Sequence, residues 1–158
     1  MKKILIISDT HGVTSKALNI IEETDQINLI IHAGDLAKDA EDIECIYPNI
    51  PICYVCGNCD YFSTARNVII TEAFDKRFFI THGHGYNVKS EVPNDYPTIT
   101  KAGKEHNADI IVFGHTHIPY IGYSGKSVII NPGSLKYTNS YVICTIDGDK
   151  VSADTFYL

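Results

Sequence analysis

Residues able to bind divalent cations recur in five short segments of this 158-residue chain, each with a glycine nearby. The candidate ligands are Asp9, His11, Asp35, Asn58, His82, His115 and His117. Their carboxylate, amide and imidazole groups suit cations such as Mn²⁺, Fe²⁺, Ni²⁺, Zn²⁺ and Mg²⁺. Seven candidate ligands are more than one ion needs. The set therefore predicts two ions about 3.5–4 Å apart that share a carboxylate and a bridging hydroxide. Such a pair can clamp a phosphoryl group for in-line displacement, so the predicted chemistry is phosphoester hydrolysis.

No segment is specific when it is taken alone. An Asp-x-His sequence such as residues 9–11 often arises by chance, and a Gly-Asp pair such as residues 34–35 is ordinary turn chemistry. Histidine is also common on protein surfaces and in hydrogen-bonded cores. Five segments that all carry Asp, Asn or His beside a glycine are hard to attribute to turns, so the joint pattern favours a functional site.

The segments follow apolar runs that are typical of strands. Three of these runs are continuous and suit strands buried on both faces, as in a parallel sheet. They cover residues 3–8, 28–33 and 51–55. Two segments between them predict helices, one from Thr14 or Ser15, whose hydroxyls are good caps, and one over 38–46. The resulting βαβαβ unit brings the carboxyl ends of its strands to one edge, where the ligand segments would meet.

The second half of the chain predicts a second sheet. Strands are expected over 67–71, 77–81, 109–113, 119–123, 127–131, 140–146 and 150–157. A stretch with Pro93, Asn94 and Pro97 leads into a helix near residues 99–106. The turns between the last four strands predict a mostly antiparallel sheet. We therefore expect one domain over residues 1–158, built as a two-sheet α/β sandwich flanked by helices.

Five motifs in this order resemble those of the calcineurin-like metallophosphoesterase superfamily. They are Asp9-Thr10-His11, Gly34-Asp35, Gly57-Asn58-Cys59-Asp60, Thr81-His82-Gly83-His84 and Gly114-His115-Thr116-His117. The short length and the Asn-Pro-Gly-Ser sequence at 131–134 are similar to the small branch that includes the phosphodiesterase YfcE and the retromer subunit Vps29. The resemblance extends from residue 4 to about residue 157 and implies the same sandwich fold.

The resemblance also implies roles for the individual residues. One metal would be bound by Asp9, His11 and His117, the other by Asn58, His82 and His115, and Asp35 would bridge them. Asn58 would also touch a phosphoryl oxygen as a catalytic residue, while Cys59 and His84 would contact the substrate. Manganese is the ion we expect first, with nickel, iron, zinc or magnesium as alternatives.

Cys59 departs from the superfamily pattern, because many members carry histidine at this place as a general acid or transition-state donor. A thiol is a poorer proton donor and a weak hydrogen-bond partner. Either His84 or a metal-bound water would then protonate the leaving group, or the enzyme would favour good leaving groups. The sequence leaves these alternatives open.

The composition excludes several classes of partner. A net charge of -6 and a pI near 5.5 argue against a broad basic surface for nucleic acid or anionic lipid, so we expect a small phosphoester substrate. The apolar run at the amino terminus is too short for a signal sequence or a membrane span. The odd number of cysteines, five, indicates free thiols in a reducing compartment, which we take to be the cytoplasm. The resemblance implies a homo-oligomer.

Three alternatives compete with a phosphodiesterase. The preference for a diester rests on the resemblance alone, so a phosphomonoesterase acting on a small metabolite stays open. A non-catalytic interaction scaffold, as in the retromer-type relatives, predicts lost ligands, whereas all seven are present here. Cys56 and Cys59 have the spacing of a zinc or redox pair, but the chain has no separate second pair of this spacing, and the third motif accounts for the intervening residues.

Two residues near the motifs have structural interpretations. His32 precedes the second motif inside a predicted strand, so we expect it to be buried. Ser134 lacks the Gly-x-Ser-x-Gly surroundings of a nucleophile, and its turn is expected to close the edge of the site through backbone amides.

Overall fold

The computed structural model describes residues 1–91 and 95–158, so Pro93 and Asn94, which precede the third predicted helix, lie outside the described residues. The described residues form ten strands and three α-helices. The strands are β1 (Lys2–Ile7), β2 (Ile27–His32), β3 (Ile52–Tyr54), β4 (Val68–Ala73), β5 (Lys76–Thr81), β6 (Ile110–Val112), β7 (Tyr120–Ser124), β8 (Ser127–Asn131), β9 (Ser140–Asp147) and β10 (Lys150–Tyr157). The helices are α1 (Thr14–Glu23), α2 (Ala37–Ile46) and α3 (Pro97–Glu105).

The first sheet contains the predicted βαβαβ unit. Its strand order is β10-β9-β1-β2-β3, and β1, β2 and β3 run parallel. Strands β1 and β2 come from the continuous apolar runs of the sequence, which suit strands covered on both faces. Helices α1 and α2 connect the three strands. The strands therefore end at the same edge of the sheet, as the sequence predicted.

The second sheet differs from the prediction. Its order is β4-β5-β6-β8-β7, and β5, β6 and β8 run parallel, so the sheet is mixed rather than mostly antiparallel. Strands β9 and β10, predicted to belong there, instead extend the first sheet as antiparallel strands beside β1. The alternation along β9 determines which side chains are buried, but it does not determine which strand β9 pairs with.

Three clusters of apolar side chains hold the sheets and helices together. Alternate residues of β1 point in opposite directions: Ile4 and Ile6 pack between the sheets, whereas Leu5 and Ile7 pack in the cluster with α1 and α2. The outer face of the second sheet packs against α3 through a third cluster that includes Phe79. The result is the predicted α/β sandwich, whose packed core supports the loops at its edge.

The helix starts differ from the sequence prediction in detail. Helix α1 begins at Thr14 after Val13, with no side-chain cap, so neither Thr14 nor Ser15 acts as the predicted cap. Helix α3 begins at Pro97, earlier than expected, because proline at the first helical position loses no intrahelical hydrogen bond. None of the helices among the described residues combines the length and apolar character needed to cross a lipid bilayer.

Candidate metal centre

Five loops meet where β1, β2, β3, β5 and β6 end. The amide of Asp9 donates to the carbonyl oxygen of Gly34 at 2.9 Å. The amide of Gly114 donates to the carbonyl oxygen of His82 at 3.0 Å. The amide of His115 crosses to Oδ2 of Asp9 at 3.1 Å and joins the last loop to the first. The ligand segments, which are far apart in sequence, are thus adjacent in space.

Asp9, His11 and His117 form one ligand group. Nε2 of His117 lies 3.0 Å from Oδ1 of Asp9, and Nε2 of His11 lies 3.8 Å from the same oxygen. The Asp9 side chain is fully buried, whereas both imidazoles are partly exposed. The three donor atoms lie close enough together to hold one cation. These are the residues that the resemblance assigns to the first metal.

Asn58, His82 and His115, the residues that the resemblance assigns to the second metal, also lie close together. Oδ1 of Asn58 lies 3.1 Å from Nε2 of His82, and Nδ1 of His115 lies 3.2 Å from the same nitrogen. Nδ1 of His82 lies 2.7 Å from the carbonyl oxygen of Ala33 and must donate to it, because a carbonyl oxygen only accepts. When His82 is in its neutral form, Nε2 therefore presents its lone pair to the site, the usual arrangement for a metal-binding histidine.

Asp35 lies between the two ligand groups. Its Oδ2 is 3.4 Å from Nε2 of His82 and 3.9 Å from Nε2 of His11. Its Oδ1 accepts the amide hydrogen of Cys59 at 3.0 Å, which fixes the carboxylate orientation. One buried carboxylate therefore reaches donor atoms of both groups, as a bridging ligand does.

The buried polar atoms of the site fit a bound cation. Nε2 of His11 is buried and has no hydrogen-bond partner within residues 1–91 and 95–158. Asp9 and Asp35 are buried beside it. Burying two negative charges side by side is costly unless they are paired or bind metal. A divalent cation would satisfy the imidazole nitrogen and both carboxylates together.

Five of the candidate ligands have left-handed backbone conformations. The φ angle is 53° at Asp9, 43° at His11, 50° at Asp35, 67° at His115 and 59° at His117. Residues other than glycine seldom adopt such values, and those that do cluster at functional sites where the surrounding structure holds them. The backbone after β1, β2 and β6 is therefore shaped to direct these side chains.

The environment shifts the pKa values of three candidate ligands in different directions. Burial favours a higher pKa for the Asp35 carboxyl, but the hydrogen bond and charge of His82 and the Cys59 amide outweigh burial and hold the pKa well below its ordinary range. Burial, followed by the charge of His82, lowers the pKa of His115 to about 4. Burial opposes protonation of His82, yet Asp35 and Asp9 raise its pKa overall. Asp35 is therefore ionised and His115 neutral at pH 7.

The sequence profile described as the Calcineurin-like phosphoesterase superfamily domain matches residues 1–149. The chain belongs to this superfamily. Among relatives of this phosphoesterase, the probable metallophosphoesterase YsnB of Bacillus subtilis (strain 168) is 32% identical over 153 residues, which cover 92% of this chain and 85% of YsnB. Phosphodiesterase YfcE of Escherichia coli (strain K12) is 27% identical over 164 residues, which cover 85% of this chain and 80% of YfcE.

Solved structures share the fold of this phosphoesterase. A predicted phosphoesterase from Streptococcus pneumoniae TIGR4 has a TM-score of 0.81 at 23% identity, covering 99% of this chain and 89% of that one. Vacuolar Protein Sorting 29 from Cryptosporidium parvum has a TM-score of 0.72 at 18% identity, and the match covers 99% of this chain and 98% of that one. At these identities the likeness concerns the fold alone. It confirms the two-sheet sandwich and, with YfcE, the resemblance to the small branch.

Asp60 organises the phosphoesterase site from behind Asp35, a role that sequence reasoning missed. Its Oδ2 accepts the amide hydrogens of Gly57 at 2.7 Å and Asp35 at 3.3 Å, and its Oδ1 accepts that of Ala37 at 2.9 Å. One carboxylate thus joins the loop after β3 to the loop after β2 and to the start of α2. Its place at the end of the third motif was the available signal.

A buried chain of hydrogen bonds supports the first two loops of the phosphoesterase. The amide of Gly34 donates to Nδ1 of His32 at 3.2 Å, so Nε2 carries the hydrogen and donates to the Thr10 hydroxyl at 2.9 Å. Thr10 donates to Oδ2 of Asp39 at 2.5 Å, which also accepts the amide hydrogen of Gly12 at 2.8 Å. His32 is fully buried, as the sequence predicted.

The turn at Ser134 closes one side of the phosphoesterase site. The amide of Leu135 donates to the carbonyl oxygen of Ser8 at 3.0 Å, and that of Lys136 donates to the carbonyl oxygen of Asp9 at 3.3 Å. The predicted closure through backbone amides is therefore present. The Ser134 hydroxyl adds a bond to the carbonyl oxygen of Asp9 at 2.8 Å, which the sequence did not indicate.

The predicted substrate contacts lie on the open side of the phosphoesterase site. Asn58 is exposed, and its Nδ2 donates to Sγ of Cys59 at 3.5 Å. His84 is also exposed, with its ring centroid 5.6 Å from that of His82 and 6.2 Å from that of His115. Their positions beside the second ligand group are observed, whereas contact with a substrate stays a prediction.

The Cys56 and Cys59 side chains do not form a disulfide. All five cysteines, which lie within the described residues, are free thiols. Cys56 is buried and donates to Oδ1 of Asn67 at 3.1 Å. Burial, with the neighbouring Asp35 carboxylate, raises the pKa of Cys59 to about 11, so its thiol is protonated at pH 7.

Proposed function

We propose that this chain is a phosphodiesterase that works with two divalent cations. The observation that carries the proposal is the position of Asp35, whose Oδ2 lies 3.4 Å from Nε2 of His82 and 3.9 Å from Nε2 of His11. Membership of the superfamily supports metal-dependent hydrolysis of a phosphoester. The relative YfcE, which is named a phosphodiesterase, supports a diester substrate.

In this proposal seven residues hold the cations. Asp9, His11 and His117 would hold one cation, Asn58, His82 and His115 would hold the other, and Asp35 would contribute to both. When bound, the cations supply charge neutralisation for the phosphoryl group and activation of the attacking water. Manganese is the first candidate because the ligands are carboxylate, amide and imidazole, and nickel, iron, zinc and magnesium are the alternatives.

Side chains on the open side of the site receive the substrate. Asn58 is exposed, and its Nδ2 donates a hydrogen bond to a phosphoryl oxygen of the bound substrate, which orients the phosphorus for attack. Cys59 and His84 contact the departing group. Because a thiol is a weak proton donor, either His84 protonates the departing oxygen or turnover is limited to good leaving groups.

The test compares bis-p-nitrophenyl phosphate with p-nitrophenyl phosphate. The protein is stripped of metal, and Mn²⁺, Ni²⁺, Zn²⁺ and Mg²⁺ are returned separately. Metal-dependent turnover that favours the diester is expected. Turnover that favours the monoester would make the protein a phosphatase, and no turnover with two ions bound would favour an interaction scaffold.

Asp35→Asn tests the shared ligand directly. The amide keeps a similar shape but loses the charge, so bound metal should fall below two ions and turnover should fall by about 100-fold or more. The circular dichroism spectrum should persist because Asp35 lies on a loop outside the core. Asp149→Asn, at a fully exposed carboxylate 3.6 Å from Lys76, is the matched control. Full activity of Asp35→Asn would remove the two-metal proposal.

We further propose that residues 1–158 act as one domain in the cytoplasm, on a small phosphoester, and as a homo-oligomer. The five free thiols fit a reducing compartment. Sedimentation of the protein at several concentrations tests the oligomeric state.

A further inference from the structure

We propose that the groove beside Cys59 binds a neutral, planar aromatic substituent of the phosphodiester, such as a nucleobase. This binding mode rests on the proposed function, because it names the substrate class of the same site. The groove has a volume of about 340 Å³ and is lined by residues 59–64 together with Lys38 and Glu41 of α2. It therefore extends from the metal centre along the loop after β3.

Two adjacent aromatic side chains supply the apolar surface of the groove. Tyr61 is 84% exposed and Phe62 is 101% exposed, although the same chain buries Phe78 and Phe79 completely. An exposed aromatic ring does not contribute the stabilising free energy that its burial would provide. Two such rings beside the candidate metal centre therefore indicate a binding surface. Aromatic side chains bind planar bases by stacking, which requires no matching hydrogen-bond pattern.

Cys59 connects the groove to the metal centre. Its Sγ lies within 4.8 Å of ligand atoms of His11 and Asp35, and its amide donates to Oδ1 of Asp35 at 3.0 Å. A phosphodiester carries two organic groups on phosphorus. When the phosphoryl group is held at the candidate metal ligands, one of the two organic groups can extend from the phosphorus into the groove.

The charges that line the groove favour a neutral substituent. Nζ of Lys38 forms an ion pair with Asp42 and lies 3.9 Å from a carboxylate oxygen of Glu41. The Asp60 carboxylate accepts three backbone amide hydrogens. Because the Lys38 charge is already compensated and Glu41 and Asp60 are negative, a second phosphate would be repelled here.

The size of the groove favours a small group over a protein partner. A stable protein interface buries about 800 Å² on each partner, far more than two side chains offer, whereas ligand pockets begin at roughly 300 Å³. The groove volume of about 340 Å³ therefore suits a single ring system. Ser63 and Thr64 also line it, and their residue types carry hydroxyl groups that can bond the edge of a base.

The experiment uses two methyl phosphodiesters whose departing alcohols have similar pKa values but different shapes: the planar aromatic 1-naphthyl ester and the non-aromatic hexafluoroisopropyl ester. The ratio of their kcat/KM values is measured for the metal-loaded wild type, Tyr61→Ala and Phe62→Ala. We expect the wild type to favour the naphthyl ester by about tenfold, mainly through KM, and each substitution to lower that ratio several-fold. Tyr123→Ala, at an exposed tyrosine outside this groove, is the matched control and should keep the wild-type ratio.

Each outcome separates this inference from the proposed function. Turnover of both esters without discrimination, or an unchanged ratio in both variants, would overturn the inference alone. If neither ester reacts, the proposed function fails, and saturation-transfer NMR with thymidine 5′-monophosphate then decides the inference. A base signal lost in Phe62→Ala would support the groove, and no base signal in the wild type would overturn it. A dimer that Phe62→Ala dissociates would also overturn it, because the rings would then be a subunit contact.

Discussion

The phenol ring of Tyr137 stacks on the imidazole of His117, with ring centroids 5.2 Å apart and planes inclined by 23°. The same ring lies 5.5 Å from that of His11 at 55°. His11 and His117 are the two imidazoles of the first ligand group, so one aromatic side chain from the closing turn packs against both. Its contact restricts the ring orientations in which their Nε2 atoms approach Oδ1 of Asp9.

Replacing Tyr137 should therefore weaken metal binding. Tyr137→Ala is expected to lower cation affinity at the first ligand group by about threefold to tenfold, because an aromatic contact contributes roughly 0.5–1.5 kcal/mol. Tyr137→Phe keeps the ring and should bind metal like the wild type. Competition with a chelating dye measures affinity independently of turnover. Identical affinities in the alanine variant and the wild type would show that the ring does not position these ligands.

Asp60→Ala should destabilise the fold and the site together. Its carboxylate accepts amide hydrogens from two loops and from the start of α2, so its loss leaves these donors without their acceptor. We expect the free energy of unfolding to fall by about 2 kcal/mol in urea titrations, and bound metal to fall with it. Asp149→Ala removes an exposed carboxylate and serves as the control. Unchanged stability and metal content in Asp60→Ala would contradict this role.

Cys59→His tests whether the thiol limits proton donation. An imidazole at this place is a better proton donor, so hydrolysis of diesters with poor leaving groups should accelerate. Diesters with a p-nitrophenolate leaving group need no protonation and should react at a similar rate in both proteins. The slope of log kcat against leaving-group pKa measures the difference. An unchanged slope would count against the thiol as the limiting group.

His32 should make stability depend on pH. Burial, against the opposing charge of Asp39, lowers its pKa from 6.5 to about 4. The folded chain therefore keeps His32 neutral while the unfolded chain takes up a proton below pH 6.5. The resulting stability is complete above pH 6.5 and is lost as the pH falls towards 4, at a cost of about 2–3 kcal/mol by pH 4.5.

The measurement for His32 is urea unfolding of metal-stripped wild type and His32→Gln at pH 7.0 and pH 4.5. Other titrating groups are the same in both proteins, so the difference in pH dependence isolates His32. The wild type should lose more stability on acidification than the variant. Equal losses in the two proteins would show that His32 is not the titrating group.

Much of the site could be predicted from the sequence because its ligands have local signals. Each ligand segment directly follows an apolar run, and residues at the carboxyl ends of parallel strands share an edge whatever the rest of the fold. The side-chain chemistry of Asp9, His11 and Asp35, together with their places in the sequence, is therefore sufficient to indicate metal binding. The continuous apolar character of β1 and β2 likewise indicated a sheet covered on both faces.

The tertiary structure alone decided which distant residues touch. The alternation of apolar and polar residues along β9 and β10 determines which face is buried, but it does not determine which strand each one pairs with. Their membership of the first sheet could therefore not be predicted from the sequence. The stacking of Tyr137 on His117 joins positions with no shared motif, and the support of Asp35 by Asp60 depends on two loops meeting. The groove at Tyr61 and Phe62 depends on loop shape. Local patterns determine what each strand and its end contain, whereas contacts between loops follow from how the two sheets pack together.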